Sequence, residues 1–160
     1  MSKEHERRET ISFVEHTPDH EVRVSTKLYE ETHKKLCIEL DMGCFVCGRK
    51  RSELIAANLP PTETHHFVEW SQKDAINWDK FAEKIKKIPN LQTGVFYHDL
   101  FDWEEVKKNP SIYVDSVYNM IVLCKDHHTH KATGIHWSVF PLWLTQCWEI
   151  DGFNVLSVDI

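Results

Sequence analysis

Asn119-Met-Ile-Val-Leu-Cys-Lys-Asp-His-His-Thr-His-Lys-Ala-Thr133 joins a short apolar run to a dense set of metal-ligating side chains. The apolar run, Met120 to Leu123, predicts a buried strand, and the segment after it predicts a helix that carries ligands. Cys124 and His127 are separated by two residues, so on one helical turn a thiolate and an imidazole can grip the same ion. Far upstream, Cys44-Phe-Val-Cys47 offers a second pair at the same spacing. Together the pairs predict a closed structural zinc site, because structural Zn²⁺ takes four sulfur or nitrogen ligands in a tetrahedron. Neighbouring residues on a helix point about 100° apart. His128 is therefore free to face a different site from His127.

The rest of the chain bounds what such a site can serve. The 160 residues, 41% of them hydrophobic, suffice for one domain with a sizeable core. No window reaches the roughly 18 apolar residues of a membrane span, and the first residues lack the apolar core of a secretion signal. The expectation is a soluble, cytoplasmic protein without a membrane partner. Five cysteines, an odd number with three in metal-type spacings, argue against a disulfide framework. Cys37 and Cys147 read as small buried apolar residues. A net charge of −6 is unlike that of a nonspecific nucleic-acid binder. Any such surface must be local, with Arg49-Lys50-Arg51 and the Lys84, Lys86, Lys87 cluster as its candidates and solvated faces as the alternative.

In chain order, residues 1–24 read as a polar arm or edge strand, with Ile11 and Phe13 in a short apolar alternation. A helix is expected from Ser25 to about Met42, capped by Ser25 or Thr26 and stopped at Gly43. Cys44 to Gly48 suits a zinc knuckle. A redox pair is the other reading of that CxxC, but no strand-to-helix setting of the thioredoxin kind lies nearby. A short helix is expected over Ser52–Asn58. Glu63-Thr64-His65-His66-Phe67-Val68 reads as a strand entered from a loop. Further helices are expected over Asp74–Ile88 and Asp102–Lys108, with Ile112–Val114 extended. Beyond Gly134 the chain turns apolar and aromatic, with Pro141 opening a short helix and Phe153–Ile160 forming a strand. Its tryptophans read as core in preference to a binding surface.

Three blocks in this order, Cys44xxCys47, Glu63-x-His65-His66 and Asn119-x3-Leu123-Cys124-xx-His127-His128-xx-Lys131-x-Thr133, resemble the zinc-bearing type of the HNH endonuclease family. His127 stands where that family usually has a fourth cysteine. The resemblance implies an α+β fold with a ββα-metal core, also called the His-Me finger, which is treble-clef-like and carries a structural zinc. Residues 25–160 would form this single domain. A helical insertion, about 69–118, would separate the two strands, and an apolar extension, about 135–160, would follow.

The function implied is metal-dependent hydrolysis of DNA phosphodiester bonds, with double-stranded DNA as the expected partner. His66 would be the general base, since a neutral imidazole accepts a proton near pH 7. His65 and His128 would hold one divalent cation, Mg²⁺, Mn²⁺, Ni²⁺ or Zn²⁺, because successive side chains on a strand diverge and leave His66 for the water. Asn119 would hold the His66 ring or its loop. Glu63 would position the site from behind the ligands or face solvent. Lys131, three residues after His128 on the same helix, could contact phosphate or serve only the helix dipole. Small proteins of this kind resemble those of phages and of bacterial restriction or mobile-element systems. His98, His130, His136 and the N-terminal histidines read as structural or surface residues. The competing function is a catalytically silent zinc-stapled module that binds nucleic acid, or a protein through the insertion or the tryptophan-rich tail.

Overall fold

The computed structural model describes residues 22–140 together with Pro18, Trp143, Gln146, Cys147, Trp148 and Leu156. The expectations for Ile11 and Phe13, for a helix opening at Pro141 and for a strand over Phe153–Ile160 lie outside the described residues.

The fold is a mixture of short helices and one small sheet. Strand β1, Glu63–His66, pairs antiparallel with β2, Met120–Leu123, in the register Glu63↔Leu123, Thr64↔Val122, His65↔Ile121 and His66↔Met120. Every residue of β2 is buried, as its uninterrupted apolar run requires. The period of two sends its side chains into two different cores. Ile121 and Leu123 pack with Cys44, Leu54, Cys124 and Trp143, whereas Met120 and Val122 pack with Leu36 and Cys37. β2 is therefore the spine shared by both.

The helix before the first cysteine pair starts where a hydroxyl can cap it. Thr26 accepts from the Tyr29 N–H, and α1 spans Lys27–His33 before widening into π-type turns over Lys34–Glu39. The break comes at Leu40 and Asp41, the latter in the left-handed region at φ 43°, and so precedes the expected stop at Gly43. Helix α2, Arg51–Ala56, ends before Asn58, which is also left-handed at φ 56°.

β1 is shorter than its sequence suggests. It ends at His66 because Asn119 intervenes: its side-chain oxygen accepts the Val68 N–H at 2.8 Å and its amide donates to the Val68 carbonyl at 3.0 Å. A side chain thus takes the place of the next ladder rung, and Val68 turns into the insertion.

The insertion has its own core of Val68, Trp78, Ile85, Tyr97, Val106, Tyr113 and Val114. Its expected first helix is split. A 3₁₀ segment, Trp70–Ala75, precedes α3, Trp78–Ile85, because Asn77 caps a new start by accepting from the Lys80 N–H. Helix α4, Trp103–Lys108, is capped by Asp102 as expected. Ile112–Val114 is helical instead of extended: Pro110 opens α5, Ser111–Val114, with its φ already at −56°. Among the described residues no helix is long and apolar enough to cross a membrane.

Candidate metal centres

The turn that follows Cys44 is built from backbone. The Gly48 N–H donates to the Cys44 carbonyl at 2.8 Å and the Cys44 N–H to the Arg49 carbonyl at 2.9 Å, with Gly48 at φ 74°. It brings Cys44 and Cys47 to Cys124 and His127 at the start of α6, Lys125–His128. Cys47 Sγ lies 3.8 Å from Cys124 Sγ, and His127 Nδ1 lies 3.7 Å from Cys44 Sγ and 3.2 Å from Cys124 Sγ. Ligands about 2.3 Å from a tetrahedral ion stand roughly 3.8 Å apart, so this cluster could hold a metal ion such as zinc.

The four groups shift one another's titration. Hydrogen bonds from Cys124 and Cys44 pull the Cys47 thiol down, and the same sharing, with burial, pushes Cys44 up. Burial works against charge on His127, but bonds to Cys124 and Cys47 outweigh it and raise the imidazole to about 9. Arg49, a basic candidate of the sequence, is engaged here: its Nε lies 3.3 Å from Cys47 Sγ, and its Nη2 lies 3.4 Å from Cys124 Sγ and 2.7 Å from the Asp126 carboxylate. From beneath, buried Trp143 donates its indole N–H to the His127 carbonyl at 3.0 Å and stacks on Phe45. Trp143 thus anchors the ligand-bearing turn, whereas Trp137 is exposed.

His128 faces a second cluster, as its place on α6 predicts. The ligand atoms of His65, His128 and His136 lie within 4.8 Å of one another. His128 Nδ1 donates to the Glu63 carboxylate at 2.6 Å, which leaves its Nε2 lone pair facing His136 Nε2, 3.2 Å away. A carboxylate behind an imidazole fixes its tautomer and strengthens it as a ligand. Glu63 is thus a partner of His128 and not a bystander in solvent. Burial, then the neighbouring His136, His128 and His66, hold His65 down to about 3. Burial is also the largest influence on His128 and lowers it despite Glu63. Both rings are neutral near pH 7, the form that binds metal.

His136 is the ligand candidate that the sequence reading set aside. The chain doubles back after α6: the Gly134 N–H donates to the His130 carbonyl at 2.8 Å, and the Ile135 N–H to the His127 carbonyl at 3.0 Å. A Cβ on Gly134 would stand 2.6 Å from the His130 oxygen and 2.8 Å from the His128 oxygen, so only glycine allows this approach. That glycine was the one available signal. Lys131 is corrected as well: α6 ends at His128, and Lys131 lies exposed in the turn beyond it instead of on the same helix.

His66, one residue from His65, is not part of the trio. It is 5% exposed, stacks on Tyr29 with centroids 5.6 Å apart, and places Nε2 3.1 Å from Asp115 Oδ1. Asn119 does not reach the imidazole itself. It holds the loop, through Val68 and through a 2.7 Å bond from the Phe67 N–H to its own carbonyl. His98 pairs with the exposed Asp99, and His130 serves its own turn by accepting from the Ala132 N–H, so both fit the structural or surface reading.

No protein-family model matches the chain, and no curated protein or solved structure matches it.

Proposed function

We propose that this protein is a metal-dependent endonuclease of the HNH type that hydrolyses DNA phosphodiester bonds, with Cys44, Cys47, Cys124 and His127 holding a structural zinc. The observation that carries this reading is the convergence of His65, His128 and His136, with Glu63 behind His128, one residue away from a wholly separate thiolate-rich cluster. Three imidazole nitrogens leave further positions open for a substrate oxygen and water, the arrangement of catalytic and not structural sites. A divalent cation held there would offset negative charge on the phosphate and on the departing oxygen.

The side chains divide the remaining work. His66 accepts the proton of the attacking water, and Asn119 fixes the loop that follows it. Glu63 keeps the Nε2 lone pair of His128 turned inward. Lys125, the first residue of α6, and Lys131, beyond its end, are both exposed and supply positive charge for the nucleic-acid backbone against the overall charge of −6.

A second reading, a catalytically silent module that binds nucleic acid or protein, is favoured by one observation. His66 is buried, with Nε2 engaged by Asp115 and Arg23 3.5 Å away. Incubation of purified protein with supercoiled plasmid across Mg²⁺, Mn²⁺ and Ni²⁺ separates the two. The nuclease reading expects nicking that EDTA stops and that His66→Ala abolishes. Wild-type protein that leaves plasmid intact in every metal establishes the silent module instead.

A further inference from the structure

The environment of His66 contains a carboxylate that nothing in the sequence motifs supplies. Asp115 lies at the end of α5, inside the insertion, and is 1% exposed. A buried carboxylate without partners would be protonated, because burial penalises its charge. Here burial is the largest influence and acts upward. Bonds from His66 and from Thr26 together outweigh it and hold the Asp115 carboxyl below its usual value. The geometry agrees: Thr26 donates its hydroxyl to Oδ2 at 2.8 Å, His66 Nε2 approaches Oδ1 at 3.1 Å, and the Arg23 guanidinium stands 3.9 Å from the same oxygen.

These contacts decide which ring nitrogen of His66 carries the proton. An ionised carboxylate only accepts, so the Nε2 facing it must donate. Arg23 Nη2 approaches Nε2 at 3.5 Å, a longer and weaker contact than that with Asp115. Nδ1 has no hydrogen-bond partner among the described residues. The pair is also held mechanically. Asn119 is fully buried, and its amide donates both to the Val68 carbonyl, two residues past His66, and to the Val114 carbonyl, next to Asp115, at 3.0 and 2.8 Å. One side chain therefore staples both members of a contact that spans 49 residues. Tyr29 closes the remaining face by stacking on the imidazole at 13°.

We propose that Asp115 is a positioning residue: it fixes the proton of His66 on Nε2 and so presents Nδ1 as the atom that accepts a proton from the attacking water. The inference rests on the nuclease reading for its last step only. The insertion then has a catalytic reason to exist, since it delivers the carboxylate that orients a base carried by β1. The general principle is that of a buried carboxylate holding an imidazole in one tautomer and stabilising the cation that forms on it.

The test pairs kinetics with NMR on the zinc-loaded full chain. In wild-type protein, ¹⁵N–¹H spectra should show a slowly exchanging proton on Nε2 of His66, assigned by its absence in His66→Gln. In Asp115→Asn, which keeps the volume and packing, that proton should move upfield as a charge-assisted bond becomes a neutral one. kcat for plasmid cleavage should fall about tenfold to a hundredfold with KM within a factor of about two. Asp115→Glu should recover part of the loss, which a merely structural defect would not allow. A proton on Nδ1 in the wild type, a signal unmoved by Asp115→Asn, or an unchanged kcat in that variant overturns the proposal. If the wild type cleaves nothing, the nuclease reading fails, while the Nε2 proton and its response still decide whether Asp115 orients His66.

Discussion

Two clusters of metal-ligating side chains lie on either side of one helical turn, and they are built on opposite principles. On one side, Cys44, Cys47, Cys124 and His127 enclose a site in which three of four groups are sulfur and Arg49 closes the outside. On the other, His65, His128 and His136 offer only imidazole nitrogens, and His136 is exposed. His127 and His128 are adjacent, yet the 100° step along α6 sends them to different clusters. Charge-rich, closed sites suit permanence, and neutral, open ones suit exchange with a substrate. Two neighbouring histidines therefore face different ligand chemistry because of the side chains opposite them.

Breaking the first cluster should have the largest effect. Cys124→Ser should release the metal and abolish cooperative unfolding, since a structural zinc contributes on the order of 10 kcal/mol to domains of this type. Metal analysis and a thermal melt check it. Gly134→Ala acts on the second cluster through the backbone, because its Cβ would press on two carbonyl oxygens. A loss of about 2 kcal/mol is expected, measured by denaturant unfolding, with the His136 ligand displaced. Glu63→Gln is milder. The protein should melt as wild type but bind a divalent cation at the second cluster about 10- to 100-fold more weakly by calorimetry, because His128 loses the carboxylate that turns it inward.

A further effect is one of pH, and its sign follows from the depressed His65. Its value falls from 6.5 to about 3 on folding. Between those values the unfolded chain binds the extra proton, so this residue's contribution is fully present above about pH 6.5 and is lost as the pH falls. The loss is roughly 1.4 kcal/mol per pH unit within that window. Urea unfolding of wild type and His65→Gln from pH 7 to pH 5 should show a steeper decline in the wild type. Parallel curves would show that His65 is not held neutral by folding.

The same contrast explains what could be read from the sequence. The first cluster was legible because each pair of ligands lies within one local turn, CxxC or Cys-xx-His, where spacing fixes geometry. β2 was legible from its apolar run, and His65 and His128 from the divergence of neighbouring side chains. His136 was not, since it is brought back by a reversal whose only trace is Gly134. Asp115 was hidden more deeply. It meets His66 across 49 residues, at the end of Ile112–Val114, which reads as extended and folds as a helix because Pro110 pre-sets its first turn. Likewise, β1 stops at His66 because the Asn119 side chain takes the hydrogen bonds of Val68, which no propensity at Phe67 or Val68 reveals.

The proposed division of α6 between two metal sites and two tasks can be tested in one comparison of plasmid nicking by wild-type protein and His128→Ala, each carrying one equivalent of tightly bound zinc. The account predicts equal melting temperatures, divalent-cation-dependent nicking by the wild type, and a loss of at least a hundredfold in the variant. Equal nicking by the two proteins, or loss of the zinc with His128, would contradict it.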